Sequence, residues 1–346
     1  MMVYQCADTV GAAIDCVLAQ TWPALSLTLL DNGSTDGTLA VLQDYASRDH
    51  RIRVRQNRCN TGPVANIQRA LWIGEADFVM PKTSDDLIAP TYIEALMGVL
   101  LAQPGCAMCH AGGLVFGEAG TPGYQYPPTH WLTATGGDPV ARACHVMQHY
   151  TSAPSFWGVY RRDAVDQLST IRYRPGFDHA VLAELALYGE IRHVPQLLYH
   201  RRGGGKPVLL LGRGATEQGN RGVSLDDVLG EHRWRTPLIS TACAHLECFA
   251  AARLPLAQRS VLLDAVPAIF RARWLPALRQ EAAQIRAALP GLLRDISGAA
   301  RMDALWLAGG VSTVLYAAQA MLPEEDFVEP LLELAAVLGE AMALPA

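Results

Sequence analysis

The stretch "LLDNGSTDGT", residues 29–38, decides the fold. Two leucines run directly into a turn of acidic, glycine and hydroxyl residues, which is the pattern of a buried strand that ends abruptly. The turn residues are helix N-cap types, and apolar residues then recur at helical spacing over 39–45. The stretch therefore predicts a strand, a turn and a helix, with Asp31 at the carboxyl end of the strand, where open α/β sheets bind ligands.

The same alternation of short apolar runs and helical patterns extends over residues 1–205 and predicts an α/β fold with a mostly parallel sheet. The predicted strands are 26–30, 51–55, 77–81, 107–116, 156–160 and 191–200, and the predicted helices are 10–20, 37–47, 62–74, 90–103, 138–150 and 178–188. The glycine-rich run "RRGGGKP" at 201–207 ends this pattern. We interpret 206–223 as a linker and the Ala-, Leu- and Arg-rich 224–346 as an all-helical C-terminal region.

The composition excludes some classes of protein. Half of the 346 residues are hydrophobic and 18% are charged, which allows a large packed core. The net charge of −5 provides no electrostatic footprint for nucleic acid. The eight cysteines have no framework-like spacing, and no signal-peptide pattern follows Met1, so the expected compartment is the reducing cytosol.

Two further segments each allow two interpretations. "CAMCH" at 106–110 matches a haem-attachment pattern, but it lies in an apolar, strand-like run that favours buried structural thiols over haem or zinc. The uncharged run 304–322 is long enough to cross a bilayer. Its glycines, hydroxyl residues and alanines favour a buried helix or a subunit contact over a membrane span.

Five motifs, in their order and spacing, resemble those of the family 2 glycosyltransferases, which have the GT-A fold. They are "YQCADTVGAAIDCVLAQTW" (4–22), "LLDNGSTDGT" (29–38), "NTGPVANIQRAL" (60–71), "TSDDLIAP" (83–90) and "FDHAVLAELALYGEIRHVPQLLYHRR" (177–202). The resemblance implies an inverting enzyme that uses Mn²⁺ or Mg²⁺ and moves a sugar from a UDP-linked donor to an acceptor hydroxyl. The acceptor is a glycan, a lipid-linked molecule or a protein, as in bacterial surface-polysaccharide or protein glycosylation, in the cytoplasm or at the inner membrane.

The resemblance also implies residue roles. The donor-binding residues are Tyr4, Asp31, Asn32, Asn66, Asp85, Arg201 and Arg202, the metal ligand is Asp86, and the catalytic base is Asp178. Adjacent carboxylates repel each other, and a hard cation is the usual way to relieve that repulsion. Thr83 stands where the family has its first acid, so the site is one carboxylate short. The alternatives are a turn cap for Asp31 and a helix N-cap for Asp178.

Some features favour a different function. Only residues 1–3 precede Tyr4, so the family's first strand is expected to be truncated, and Gln5 replaces the family's Asn. The alternative is therefore a catalytically silent relative whose helical region acts as an interaction module or forms a homodimer. A sugar-phosphate nucleotidyltransferase would need a Gly-rich N-terminal loop, and "RRGGGKP" lacks the full phosphate-loop pattern.

Overall fold

The computed structural model describes residues 1–116, 123–150, 153–169, 171, 176–203, 237–299 and 301–343. The chain forms two compact units, Met1–Ile171 with Val181–Gly222, and Arg172–Ala180 with Val223–Ala346. We call them the αβ unit and the helical unit. The predicted linker 206–223 lies outside the described residues.

A three-stranded parallel sheet opens the αβ unit. Its strands are β1 (Met2–Val3), β2 (Leu27–Asp31) and β3 (Ile52–Gln56), in the order β1-β2-β3, and its helices are α1 (Val10–Leu18), α2 (Thr38–Arg48) and α3 (Pro63–Trp72). Leu29 and Leu30 are buried, as expected for a parallel strand covered on both faces. Val3 pairs with Asp31, which pairs with Gln56, so the carboxyl ends of the three strands meet at one edge. Strand β1 is two residues long and pairs in parallel with the end of β2.

A larger mixed sheet completes the αβ unit. It contains β4 (Phe78–Val79), β5 (Leu87–Ile88), β6 (Cys106–Phe116), β7 (Tyr124–Gln125), β8 (Val159–Arg161) and β9 (Glu190–Arg202), in the order β4-β8-β6-β9-β5 with β7 on β6. The helices are α4 (Tyr92–Ala102), α5 (Pro139–His149), α6 (Arg162–Val165) and α7 (Phe177–Tyr188). The predicted α/β class and the predicted helices are confirmed. The sheet is less parallel than predicted: β6 and β9 are parallel, and the other described pairs of this sheet are antiparallel.

The "CAMCH" segment lies on the central strand β6. Cys106 and Cys109 are fully buried, and burial raises the pKa of both thiols, that of Cys109 to about 12. The His110 imidazole contacts the Leu132 carbonyl oxygen at 2.7 Å, and burial lowers its pKa to about 4. The prediction of buried structural thiols is confirmed.

Besides the first turn of α7, the described part of the helical unit contains four helices: α8 (Pro237–Ala251), α9 (Leu256–Gly298), α10 (Arg301–Met321) and α11 (Val328–Ala343). Helix α9 kinks at Trp274, two residues before Pro276, because a proline removes an intrahelical hydrogen bond. Val314 and Leu315 of α10 are fully buried, as predicted for a buried helix. None of the helices in the described ranges combines the length and the apolar character that a membrane crossing requires.

Three buried ionisable groups, Glu281, His179 and His245, lie inside the helical unit. The Glu281 carboxylate accepts hydrogen bonds from the backbone N–H groups of Leu238 and Ile239, both at 2.9 Å, and thereby satisfies the first turn of α8. Burial raises the pKa of Glu281 to about 7. His179 Nδ1 lies 2.5 Å from His245 Nε2, and burial lowers the pKa of both imidazoles, that of His245 to about 3.

Candidate functional site

The buried Asp31 side chain stabilises the turn after β2. Its carboxylate has no exposed surface and accepts the Ser34 backbone N–H, at 3.2 Å from one oxygen and 3.4 Å from the other. Gly33 has φ +81°, and a Cβ there would lie 3.0 Å from the Cys59 carbonyl carbon. The turn therefore requires glycine both for its backbone conformation and for its packing. A ligand would touch the Asp31 carboxylate only after the surrounding turns move.

Asn32 joins this turn to the one that follows β3. Its amide nitrogen donates to Asn60 Oδ1 at 2.7 Å, and its amide oxygen accepts from Asn57 Nδ2 at 2.8 Å and from the Thr61 N–H at 3.1 Å. Nearby, Asn66 on α3 donates to the Leu30 carbonyl oxygen at 3.4 Å. The buried Oδ1 of Asn66 has no hydrogen-bond partner in the part of the chain that the structure describes. Asn32 thus fixes the two turns, and Asn66 leaves an acceptor unfilled beside them.

The residues after β1 complete the same edge. Half-buried Tyr4 follows the strand, and the Gln5 N–H donates to Ser34 Oγ at 3.0 Å. The Gln5 side-chain oxygen accepts from the Thr35 N–H at 2.7 Å. Gln5 has φ +47°, a left-handed conformation that asparagine adopts more readily than most side chains. The resemblance implies asparagine at this position, and the backbone explains that preference.

The acidic turn contains one fully engaged carboxylate, that of Asp86. It is 4% exposed and accepts hydrogen bonds from Thr83 Oγ1 at 2.8 Å, from the Arg202 N–H at 2.8 Å and from the Tyr199 hydroxyl. Burial, and then the Asp86 charge, raise the pKa of Tyr199 well above its usual value. The buried Lys82 ammonium donates to the carbonyl oxygens of Thr83 and Asp86 and closes the turn. Asp86 therefore acts as the centre of a hydrogen-bond network that orders the turn.

Asp85 has a different environment. Its side chain is partly exposed, and burial together with the adjacent Asp86 charge raises the pKa of its carboxyl group. A nearby cation would relieve both effects. Within the ranges that the structure describes, no group of three or more His, Cys, Asp or Glu side chains could enclose a metal ion. The residues present fit a cation that shares its ligands with a substrate diphosphate, since Mg²⁺ is often held by one or two carboxylates plus phosphates.

The two arginines at the end of β9 lie beside the acidic turn. Arg202 donates through Nε to the Asp85 carbonyl oxygen at 3.2 Å, and its guanidinium lies 4.9 Å from the centre of the Phe116 ring. Arg201 donates through Nη1 to the Tyr126 hydroxyl at 3.2 Å. The remainder of "RRGGGKP" after residue 203 lies outside the described residues. The structure thus brings Arg201 and Arg202 close to the acidic turn that contains Asp85 and Asp86.

Asp178 does not belong to the αβ unit. It is half-buried in the first turn of α7, and its segment, Arg172–Ala180, belongs to the helical unit. The other predicted site residues belong to the αβ unit. The role of Asp178 as the base therefore stays a prediction.

Two residues that order the site were missed by the sequence interpretation. Lys82 lies three residues before Asp85, and a lysine that follows an apolar strand was the available signal. Tyr199 lies inside a predicted strand and gives no local signal, because its partner Asp86 is 113 residues away.

Residues 1–167 match the family model described as "Glycosyl transferase family 2", and this part of the chain belongs to that family of glycosyltransferases. Among its relatives, the glycosyltransferase EpsE of Bacillus subtilis (strain 168) is 31% identical over 130 residues, which cover 37% of this chain and 47% of EpsE. The uncharacterized glycosyltransferase YibD of Escherichia coli (strain K12) is 28% identical over 181 residues, 51% of each chain. The chain spans about half the length of these curated relatives.

The fold is shared with the crystal structure of S. aureus TarS 1–349 in complex with UDP-GlcNAc. The TM-score is 0.56 at 17% identity, and the match covers 99% of this chain and 90% of that one. The predicted family and the predicted GT-A fold are therefore confirmed.

Proposed function

We propose that this chain transfers a sugar from a UDP-linked donor to an acceptor hydroxyl with inversion, in the synthesis of a bacterial surface glycan in the cytoplasm or at the inner membrane. The observation that carries the proposal is the ordered acidic turn. Lys82, Tyr199 and the Arg202 backbone hold Asp86 and present Asp85 at its side. Support comes from the family of residues 1–167 and from the TarS structure, which holds UDP-GlcNAc.

The donor site combines residues that shape the pocket with residues that touch the ligand. Asp31 and Asn32 fix the turns from behind, because the first is buried and the second is fully hydrogen-bonded. The proposed direct contacts come from the side chains that retain exposed surface or an open acceptor, namely Tyr4, Asn66, Asp85, Arg201 and Arg202.

Mn²⁺ or Mg²⁺ would be held by Asp85 together with the donor diphosphate. Asp86, the metal ligand that the resemblance implies, accepts three hydrogen bonds from protein groups within the described residues. When bound, the cation supplies positive charge to the departing nucleoside diphosphate. The guanidinium groups of Arg201 and Arg202 add charge-assisted donors on the same side.

The proposed base is Asp178. Asp178 lies in the first turn of α7, where the helix dipole favours a negative charge. The carboxylate takes the proton of the acceptor hydroxyl as the oxygen attacks the anomeric carbon, opposite the leaving nucleotide, which inverts the configuration.

The test measures UDP released from UDP-GlcNAc. We expect Asp178→Asn to lower turnover about a hundredfold or more while UDP affinity stays near wild type. Asp138→Asn is the matched control, because Asp138 is a plain N-cap that accepts the Val140 N–H at 2.9 Å. Equal turnover in the two variants would remove Asp178 from the mechanism.

The second candidate is a catalytically silent relative with an interaction role. It is favoured by the complete burial of Asp31 and by Thr83 in the place of an acid. A silent relative would bind neither UDP nor UDP-GlcNAc in the presence of Mn²⁺, and calorimetry separates the two candidates.

A further inference from the structure

We propose that Tyr124 forms a subsite for a pyranose ring of the acceptor, one sugar or more away from the ring that carries the attacking hydroxyl. The inference rests on the proposed function, since it assigns the acceptor side of the same site to a carbohydrate. It begins from an exposed aromatic ring: Tyr124, on the short strand β7, is 54% exposed.

Strand pairing places Tyr124 on the same sheet face as the acidic turn. Val115 of β6 pairs with Tyr124 on one side and with Arg201 of β9 on the other. Two residues before Val115 on β6, Gly113 pairs with Tyr199. Directly paired residues, and residues two apart on one strand, point to the same face. Tyr124 and Arg201 therefore share a face with Tyr199, whose hydroxyl donates to Asp86.

Contacts confirm that this face is continuous. The Tyr124 ring lies 5.6 Å from the Tyr126 ring in an edge-to-face arrangement, and Arg201 donates to the Tyr126 hydroxyl at 3.2 Å. Gly113 lies against the Tyr126 ring, because a Cβ there would lie 3.4 Å from Tyr126 Cδ2. The path runs from Asp86 through Tyr199, Gly113 and Tyr126 to the exposed Tyr124.

The chemistry of this rim fits a sugar. The face of an aromatic ring is electron-rich and attracts the polarised C–H groups on one side of a pyranose, while the hydroxyl at the ring edge accepts or donates hydrogen bonds. The edge-to-face contact with Tyr126 orients the Tyr124 ring before any ligand arrives. Half-buried Arg201 donates to the Tyr126 hydroxyl and so fixes the ring that Tyr124 packs against.

The spacing assigns the ring to a position along the acceptor. Tyr124 lies two strands across the sheet and two residues along it from Tyr199, which places the two residues about 12 Å apart. That distance exceeds one pyranose ring. The acceptor is therefore an oligosaccharide or a polymer, with the attacking hydroxyl near the donor and an inner sugar on Tyr124.

The experiment titrates the full chain with chitotriose, maltotriose and laminaritriose and records saturation-transfer-difference NMR. We expect at least one trisaccharide to bind wild type through one face of a single ring. Tyr124→Ala should weaken that binding about fivefold or more, and Tyr124→Phe should retain it. Tyr316→Ala is the matched control, because Tyr316 is an exposed tyrosine (65%) on α10 of the helical unit.

The inference is overturned if none of the trisaccharides binds wild type, or if Tyr124→Ala binds as well as wild type. Calorimetry with UDP and Mn²⁺ on the same proteins keeps the two proposals apart. Wild type and Tyr124→Ala should bind UDP equally. Absence of UDP binding refutes the proposed donor site, whereas normal UDP binding without trisaccharide binding refutes the Tyr124 subsite.

Discussion

Replacing Asp86 and Asp85 one at a time should separate stability from ligand binding. Asp86→Ala leaves the Thr83 hydroxyl, the Tyr199 hydroxyl and the Arg202 N–H without their shared acceptor. Removing a buried, hydrogen-bonded charge in this way costs about 3–5 kcal/mol. For a unit of this size that loss lowers the melting temperature by about 6–20 °C.

Asp85→Asn should have the opposite profile. Its carboxyl pKa is raised by burial and by Asp86, so loss of the charge removes a repulsion and changes the free energy of unfolding by less than about 1 kcal/mol. The stabilisation by UDP with Mn²⁺, about 2.7 kcal/mol at a hundredfold excess over Kd, should disappear. Thermal melts of both variants, with UDP and either Mn²⁺ or chelator, measure all of these quantities.

The reasoning fails if Asp86→Ala melts like wild type and loses the response to UDP and Mn²⁺. In that case Asp86 is the metal ligand, as the sequence interpretation proposed, and its hydrogen bonds contribute little to the fold.

Three further predictions concern buried groups. Burial lowers the pKa of His245 to about 3, so below pH 6.5 the unfolded chain binds a proton that the folded chain does not. The free energy of unfolding of wild type should therefore fall by about 1.4 kcal/mol per pH unit, relative to His245→Gln, as the pH falls from 6.5 to 4. Equal slopes of stability against pH in urea melts of the two proteins would contradict this. The pKa of Glu281 is raised to about 7, so the stability of wild type should fall as pH rises from 4.5 to 7, and Glu281→Gln should abolish that fall. Iodoacetamide should modify exposed Cys59 in the native chain and reach Cys106 and Cys109 only in denaturant, as mass spectrometry of the labelled peptides would show.

The sequence predicted the longer helices and strands of the αβ unit closely, because each one has its own local pattern, whereas β5, β7 and α6 were not predicted. Residues 26–30 were predicted as a strand and form β2, Leu27–Asp31, and 178–188 were predicted as a helix and form α7, Phe177–Tyr188. The alternation of apolar runs and turn residues determines such elements locally. The family motifs added the GT-A fold, which the periodicity of single elements does not specify.

The strand directions and the hydrogen-bond partners of Asp86 could not be predicted in the same way. Periodicity identifies a strand but carries no information on which neighbour it pairs with, and β4, β5, β7 and β8 all pair antiparallel. Asp86 was assigned to metal because two adjacent acids repel. Its hydrogen-bond donors Tyr199 and Arg202 are more than 110 residues away in the chain, where no local pattern reveals them.

The long reach of the Asp86 network has a consequence for how the site is made during synthesis. The family match ends at residue 167, whereas Tyr199 and Arg202 come from β9, which also pairs along the whole of β6. When only the family domain of a nascent chain has emerged from the ribosome, the hydrogen-bond donors Tyr199 and Arg202 are still missing. The acidic turn cannot yet be ordered at that stage. Because chains emerge from the N-terminus and non-local strand pairs form late, we expect the proposed donor site to form as one of the last events in the folding of the αβ unit. A chimera that exchanges donor specificity between relatives must therefore place its junction beyond Arg202.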